Sequence, residues 1–129
     1  MKINSTEDAL RIFRESAIQH GLSHKTHNYK LGNKHHDRVC ECIYYLYNHN
    51  ELHLLKSFLS DEDDGVRLWA SFALLPTYTK ESEKVMKTLI KTSSYLSFEV
   101  KVTLEEWRKG RLKFPWEWIH LKNKREDSK

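Results

Sequence analysis

Three observations predict an all-α chain, organised as a short α-solenoid of about three antiparallel helix pairs. Turn formers are scarce, with 4 Gly and 2 Pro in 129 residues, which disfavours a sandwich or barrel of many tight turns. Apolar residues recur at helical spacing in one segment after another. The sequence also matches itself at a shift of 34 residues: Leu55 falls on Leu89, Val66 on Val100, Arg67 on Lys101, Ala70 on Leu104 and Ala73 on Trp107. A period of that length, with a helix, a short turn and a helix in each unit, is the mark of stacked helical repeats.

The elements follow in order. Ser5 opens an S-x-x-D capping pattern with Asp8, and Leu10, Phe13, Ala17 and Ile18 continue at helical spacing, so a first helix is predicted from about 5 to 20 with Gly21 as its stop. Residues 21 to 34, "GLSHKTHNYKLGNK", hold two of the glycines and little periodicity, and read as a loop with at most one helical turn. A second helix is predicted from about 34 to 48 on Val39, Cys42, Ile43 and Leu46, with Tyr44, Tyr45 and Tyr47 widening its apolar side. A short third helix over 51 to 59 carries Leu52, Leu55, Phe58 and Leu59.

The stretch "DEDDGVRLWASFALLP" comes next. Val66, Trp69, Ala70, Ala73 and Leu74 form one apolar face, while Leu68, Phe72 and Leu75 form another. That leaves Arg67 and Ser71 as a narrow polar stripe, so this fourth helix should lie between neighbours. The acids before it suit a helix N-terminus, where carboxylates accept from free N–H groups and oppose the positive end of the dipole. Pro76 closes the helix, and a fifth spans about 80 to 92 on Val85, Met86, Leu89 and Ile90. Leu96, Phe98, Val100, Val102 and Leu104 alternate with polar residues as a strand would, but the internal repeat places them in a sixth helix ending at Gly110.

Hydrophobic residues are 39%, charged residues 31% and mean hydropathy is −0.73, so the core must come from thin stripes on amphipathic helices. The net charge of +4 permits an acidic partner, but part of it sits in the terminal run "KNKREDSK", which reads as a solvated tail. "MKINSTEDALRIF" meets acids where an export signal needs an apolar stretch, and no run approaches the roughly 20 apolar residues of a membrane span. These features predict a soluble, cytoplasmic chain. Cys40 and Cys42, two apart in a helix, point in different directions and read as reduced thiols.

"LLKSFLSDEDDGVRLWASFALL" has the form of a HEAT-type repeat, an apolar helix, an acidic turn and then Val-Arg before small apolar positions. Together with "SFEVKVTLEEWRKGRL" it resembles a small bacterial HEAT-like family known as a domain of unknown function, whose members pair a V-R-x-W-A-A-like helix with a T-L-x-E-W-x-x-G-x-L-like ending. "NYKLGNKHHDRV" is similar to that family's N-terminal portion, with Asn33 and Asp37 matching an Asn and an Asp four apart. The resemblance covers about residues 5 to 112. Ser71 and Phe72 depart from it, standing where the family favours a small apolar residue, and "KFPWEWIHLKNKREDSK" runs past the family's usual end. It implies a HEAT-like domain over 1–112, followed by a C-terminal extension over 113–129, and it names no reaction. Some HEAT-like small proteins are immunity proteins for secreted toxins, an analogy of fold and size.

His24, His27, His35, His36, Cys40 and Cys42 cluster in sequence, but H-x-x-H in a loop, adjacent histidines and C-x-C do not make a usual tetrahedral zinc set. Surface histidines and packed cysteines account for them, and neither a metal nor a cofactor is expected. Nor does any Ser or Cys stand in a nucleophile setting beside a base.

In a solenoid the second helix of each pair lines one face. Here that face would present Lys34, Asp37 and Glu41, then Arg67 and Ser71, then Lys101, Glu105 and Arg108, with Tyr44, Tyr45 and Tyr47 nearby. Its signs alternate, whereas a phosphate-tracking groove needs a continuous basic stripe, so nucleic acid is an unlikely partner and another protein the expected one. Trp116 and Trp118 read either as a cover over the last apolar face of the solenoid or as aromatic anchors for a partner.

The expected function is non-catalytic protein binding, most specifically by an immunity protein that neutralises a cognate toxin. The basic charge argues against a nuclease target, since many nuclease inhibitors are acidic mimics. A generic scaffold or regulatory adaptor, or a nucleic-acid binder, is the alternative.

Overall fold

The computed structural model describes residues 2–119 and is helical throughout, with no strand among those residues. Ser5 caps the first helix as its pattern predicts, the side chain accepting from the Asp8 amide at 3.1 Å. This helix, α1 (Thr6–Thr26), runs past Gly21 and ends only at His27, whose φ of 57° is left-handed. Asn28 then accepts from the Leu31 amide at 3.1 Å and starts α2 (Tyr29–Asn48).

The loop predicted over 21 to 34 is therefore a tight turn between two helices that both run longer than expected. Its glycines serve packing instead of turning. A Cβ on Gly32 would stand 2.6 Å from the Ser23 hydroxyl oxygen, so the absent side chain lets α1 and α2 approach, at a helix-propensity cost of about 1 kcal/mol.

The third predicted helix is present as a 3₁₀ helix, Leu52–Ser60, with Leu55 as its buried residue. After it, each of the four acids has a different place. Asp61 accepts from the Asp63 amide at 2.9 Å and pairs with Arg14 of α1 at 2.9 Å. Asp63 caps the next helix by accepting from the Val66 amide at 3.0 Å. Asp64 pairs with Arg67, and Glu62 is exposed.

That helix, α3 (Asp64–Leu74), buries Gly65, Val66, Leu68, Trp69, Ala70, Ser71, Ala73 and Leu74. It lies between neighbours as its two apolar faces predict: α1 and the 3₁₀ helix pack on it, and so does α4 (Thr79–Thr92). The closest approach is at its start, where a Cβ on Gly65 would meet the Ala17 carbonyl oxygen at 2.5 Å.

α5 (Ser97–Arg108) packs on α4 and is followed by Gly110 at φ 71°. Its apparent strand alternation has a helical explanation. Leu96, Val100 and Leu104, four apart, are buried, while Phe98 and Val102 lie on the opposite side in solvent.

Two apolar clusters result. One joins α1, α2, the 3₁₀ helix and α3, and the other joins α3, α4 and α5. Of the five pairs related by the 34-residue shift, Leu55 with Leu89, Val66 with Val100 and Ala70 with Leu104 are buried alike, whereas Ala73 is buried and Trp107 half-buried, and Arg67 is half-buried and Lys101 exposed. The all-helical architecture and this order of packing are compatible with an α-solenoid.

A short helical turn at residues 115 to 119 lies over the junction of the clusters. Trp116 stacks on Tyr47 of α2 at 4.6 Å and on Phe114 at 4.9 Å, and Phe114 stacks on Phe72 of α3 at 5.0 Å. The described part of the extension thus packs against the core of residues 1–112. The terminal run "KNKREDSK" lies outside the described residues.

Candidate functional site

α2, α3 and α5 meet around a pocket of about 150 Å³, lined by His36, Leu68, Trp69, Phe72, Glu99 and Thr103. Each helix contributes for a local reason. On α5, Glu99 and Thr103 lie one turn apart beside the buried Val100 and Leu104 stripe. On α3, Leu68 and Phe72 are likewise one turn apart, with Trp69 between them toward α1.

α1 supplies two further histidines at the same place, because its extension beyond Gly21 keeps His20 and His24 one turn apart on a single helix. The Trp69 indole N–H donates to His20 Nδ1 at 3.1 Å, inside the protein. That bond fixes the neutral tautomer with the proton on Nε2. Burial, reinforced by the charges of His24, His36 and His35, pushes the His20 pKa down to about 3, so the ring is neutral at physiological pH.

His24 Nε2 lies 2.6 Å from Glu99 Oε2. The contact lacks the alignment of a hydrogen bond, and Oε2 is buried without a donor. Burial raises the Glu99 pKa, and the His24 and His36 charges oppose that rise. Ligating atoms of His20, His24 and Glu99 all fall within 4.8 Å of one another. Two imidazoles and a carboxylate at that spacing could hold a cation. Of the histidines and cysteines clustered in the sequence, only His24 belongs to this trio.

Cys40 is 3.9 Å from His36 Nδ1, and Cys42 is buried in the first cluster. Burial, with the Glu41 charge, pushes the Cys42 thiol up to about 12. Neither cysteine is in a disulfide, as their spacing predicts.

The predicted partner-binding residues fall into three groups. Lys34, Asp37 and Glu41 on α2, and Lys101, Glu105 and Arg108 on α5, are exposed. Their helices meet at the pocket through His36, Glu99 and Thr103. Tyr44 and Tyr45 are half-buried against the first core cluster, and Trp116 and Trp118 pack against it as well.

The polar stripe on α3 is corrected. Ser71 is fully buried and its hydroxyl donates to the Leu68 carbonyl at 2.9 Å, so it is not available to a partner. With a neighbour on both sides of α3, even the polar side of the helix is covered, and a serine is tolerated there because it bonds its own backbone. Arg67 is half-buried and engaged by Asp64.

Sequence reasoning misses His20 and Glu99. A signal for His20 exists in the H-x₃-H pair with His24, but it counts only if one helix carries both, and Gly21 stands between them. Glu99 has no local signal, since only tertiary folding brings it to His24 of α1. No family, curated protein or solved structure was found to match this chain.

Proposed function

We propose that the protein is a non-catalytic protein-binding module with HEAT-like helix pairing, and most specifically an immunity protein of the bacterial cytoplasm that occludes a cognate toxin. The observation that carries this reading is on α5. Phe98 is 80% exposed and Val102 41% exposed, one turn apart, with exposed Lys101 and Glu105 beside them. A large aromatic side chain left in solvent gains nothing in the isolated chain, and apolar anchors ringed by charges are what a protein interface uses.

The neighbouring geometry supports the same reading. On the helical wheel, Val102 borders Glu99, so the apolar pair adjoins the rim of the pocket shared with α2 and α3. Opposite charges exposed on α2 and α5, Asp37 and Glu41 against Lys34, Lys101 and Arg108, would select a partner and fix its register more than they would add affinity. Occlusion needs rigid shape and complementary charge, and no catalytic group.

The test is recovery of the untagged chain from its native cells with one stoichiometric protein partner whose expression alone arrests growth. Co-expression of this chain should restore growth. A chain that stays without partner, and gives no protection against toxins encoded beside it, would overturn the immunity reading.

A further inference from the structure

We propose that His20, His24 and Glu99 form a binding site for a divalent transition-metal cation of the zinc class, in competition with Trp69 for the lone pair of His20. The ligand set is the first support. Two imidazole nitrogens and one carboxylate oxygen suit zinc and its neighbours, whereas magnesium and calcium favour all-oxygen shells.

Placement is the second support. His20 and His24 lie one turn apart on α1, Glu99 comes from α5, and their ligating atoms lie within 4.8 Å of one another. Bonds of about 2.0 to 2.2 Å around a tetrahedral ion put neighbouring ligand atoms roughly 3.3 to 3.5 Å apart, so loading draws in the widest pair, now within 4.8 Å, and opens the His24–Glu99 pair from 2.6 Å, shifts of the size side-chain rotation supplies.

The third support is Glu99 Oε2, which is buried and has no hydrogen-bond donor, with His24 Nε2 beside it at 2.6 Å. A buried carboxylate oxygen without a donor is costly, and a bound cation removes that cost. Glu99 also lines the pocket with His36, which leaves room at the fourth position for water or a group of a partner.

The competition with Trp69 follows from proton accounting. Neutral imidazole has one lone pair, and in His20 the indole N–H of Trp69 occupies it at Nδ1. If the cation binds Nδ1, it displaces the indole directly. If it binds Nε2, the Nε2 proton moves to Nδ1, which then faces the indole N–H as a second donor. Either way Trp69 loses its acceptor, and the metal-free protein is locked by the same bond that metal must break.

Zinc chloride titrated into untagged protein, followed by calorimetry and by the Trp69 indole N–H resonance, tests the site. Saturable binding at one ion per chain is expected, with a rise in thermal midpoint and a shift of that resonance. Glu99→Gln and His24→Gln should each weaken binding by about tenfold or more, comparable to losses seen on disturbing a metal's ligand environment. Trp69→Phe should bind roughly fivefold tighter, since one hydrogen bond of about 1 kcal/mol no longer opposes it.

Wild-type protein that takes up no zinc at micromolar concentration would overturn the site, and this readout needs no variant to fold. Uptake unchanged by Glu99→Gln and His24→Gln would place the ion elsewhere and overturn it equally. Zinc binding that Trp69→Phe leaves unchanged or weakens would overturn the competition.

Discussion

α3 and α5 are related by the 34-residue shift in sequence, yet meet opposite environments. Val66 and Val100 are both fully buried, so the register holds. One step around the helix the two diverge: Leu68 is 4% exposed and its counterpart Val102 is 41% exposed. The acid-rich turn gives α3 a side-chain cap at Asp63, whereas α5 begins at Leu96 without one. α3 has α1 on one side and α4 on the other, while α5 packs chiefly on α4. Helices of related sequence are thus enclosed on both sides in α3 and open on one side in α5.

The largest effect should come from breaking this pair of positions. Leu68→Ala should lower unfolding free energy by about 2 to 4 kcal/mol in urea denaturation, because it empties a filled site in the second cluster. Val102→Ala should change it by less than about 1 kcal/mol. Equal losses at the two positions would mean that α5 is as enclosed as α3.

A smaller loss is expected at the cap. Asp63→Ala removes the acceptor for the Val66 amide and should cost about 1 kcal/mol, whereas Glu62→Ala, in the same turn but exposed, should be close to silent.

The smallest effect is on pH dependence. Burial works against the Asp61 carboxylate, but hydrogen bonds from Arg14 and the Asp63 amide, with the charges of Arg14 and Arg67, hold it below the usual range. Its contribution is therefore fully present above the unfolded value near pH 4, and is lost as pH falls through the lower folded value. Asp61→Asn should flatten the acid limb of a stability profile below about pH 4 and leave the slope above about pH 5 unchanged.

The difference between the two helices was partly legible in the sequence. Two apolar faces on "GVRLWASFALL" announced an enclosed helix, because i, i+3 and i+4 spacing reports burial directly. The 34-residue shift identified α5 as its equivalent, but a repeat cannot reveal which copy stands at the end of the stack.

What sequence missed depends on tertiary approach. Gly21 and Gly32 look like breaks, since local propensity disfavours them, yet α1 and α2 run through both, and Gly32 is where Ser23 comes close. That misreading also separated His20 from His24 and removed the one local hint of the cluster at α1. Ser71 reads in sequence as a polar remnant because its burial is decided by packing on both sides of α3, which composition does not record. Trp116 and Trp118 were read either as cover or as anchor. In the described structure Trp116 stacks on Tyr47 of α2.

We propose that α3 builds the fold while the outer side of α5 does the binding. The most direct measurement is protection against the cognate toxin by a Phe98→Asp, Val102→Asp double variant, read beside its unfolding midpoint. The account predicts a midpoint within a few degrees of wild type and protection abolished. Full protection from that variant would contradict it.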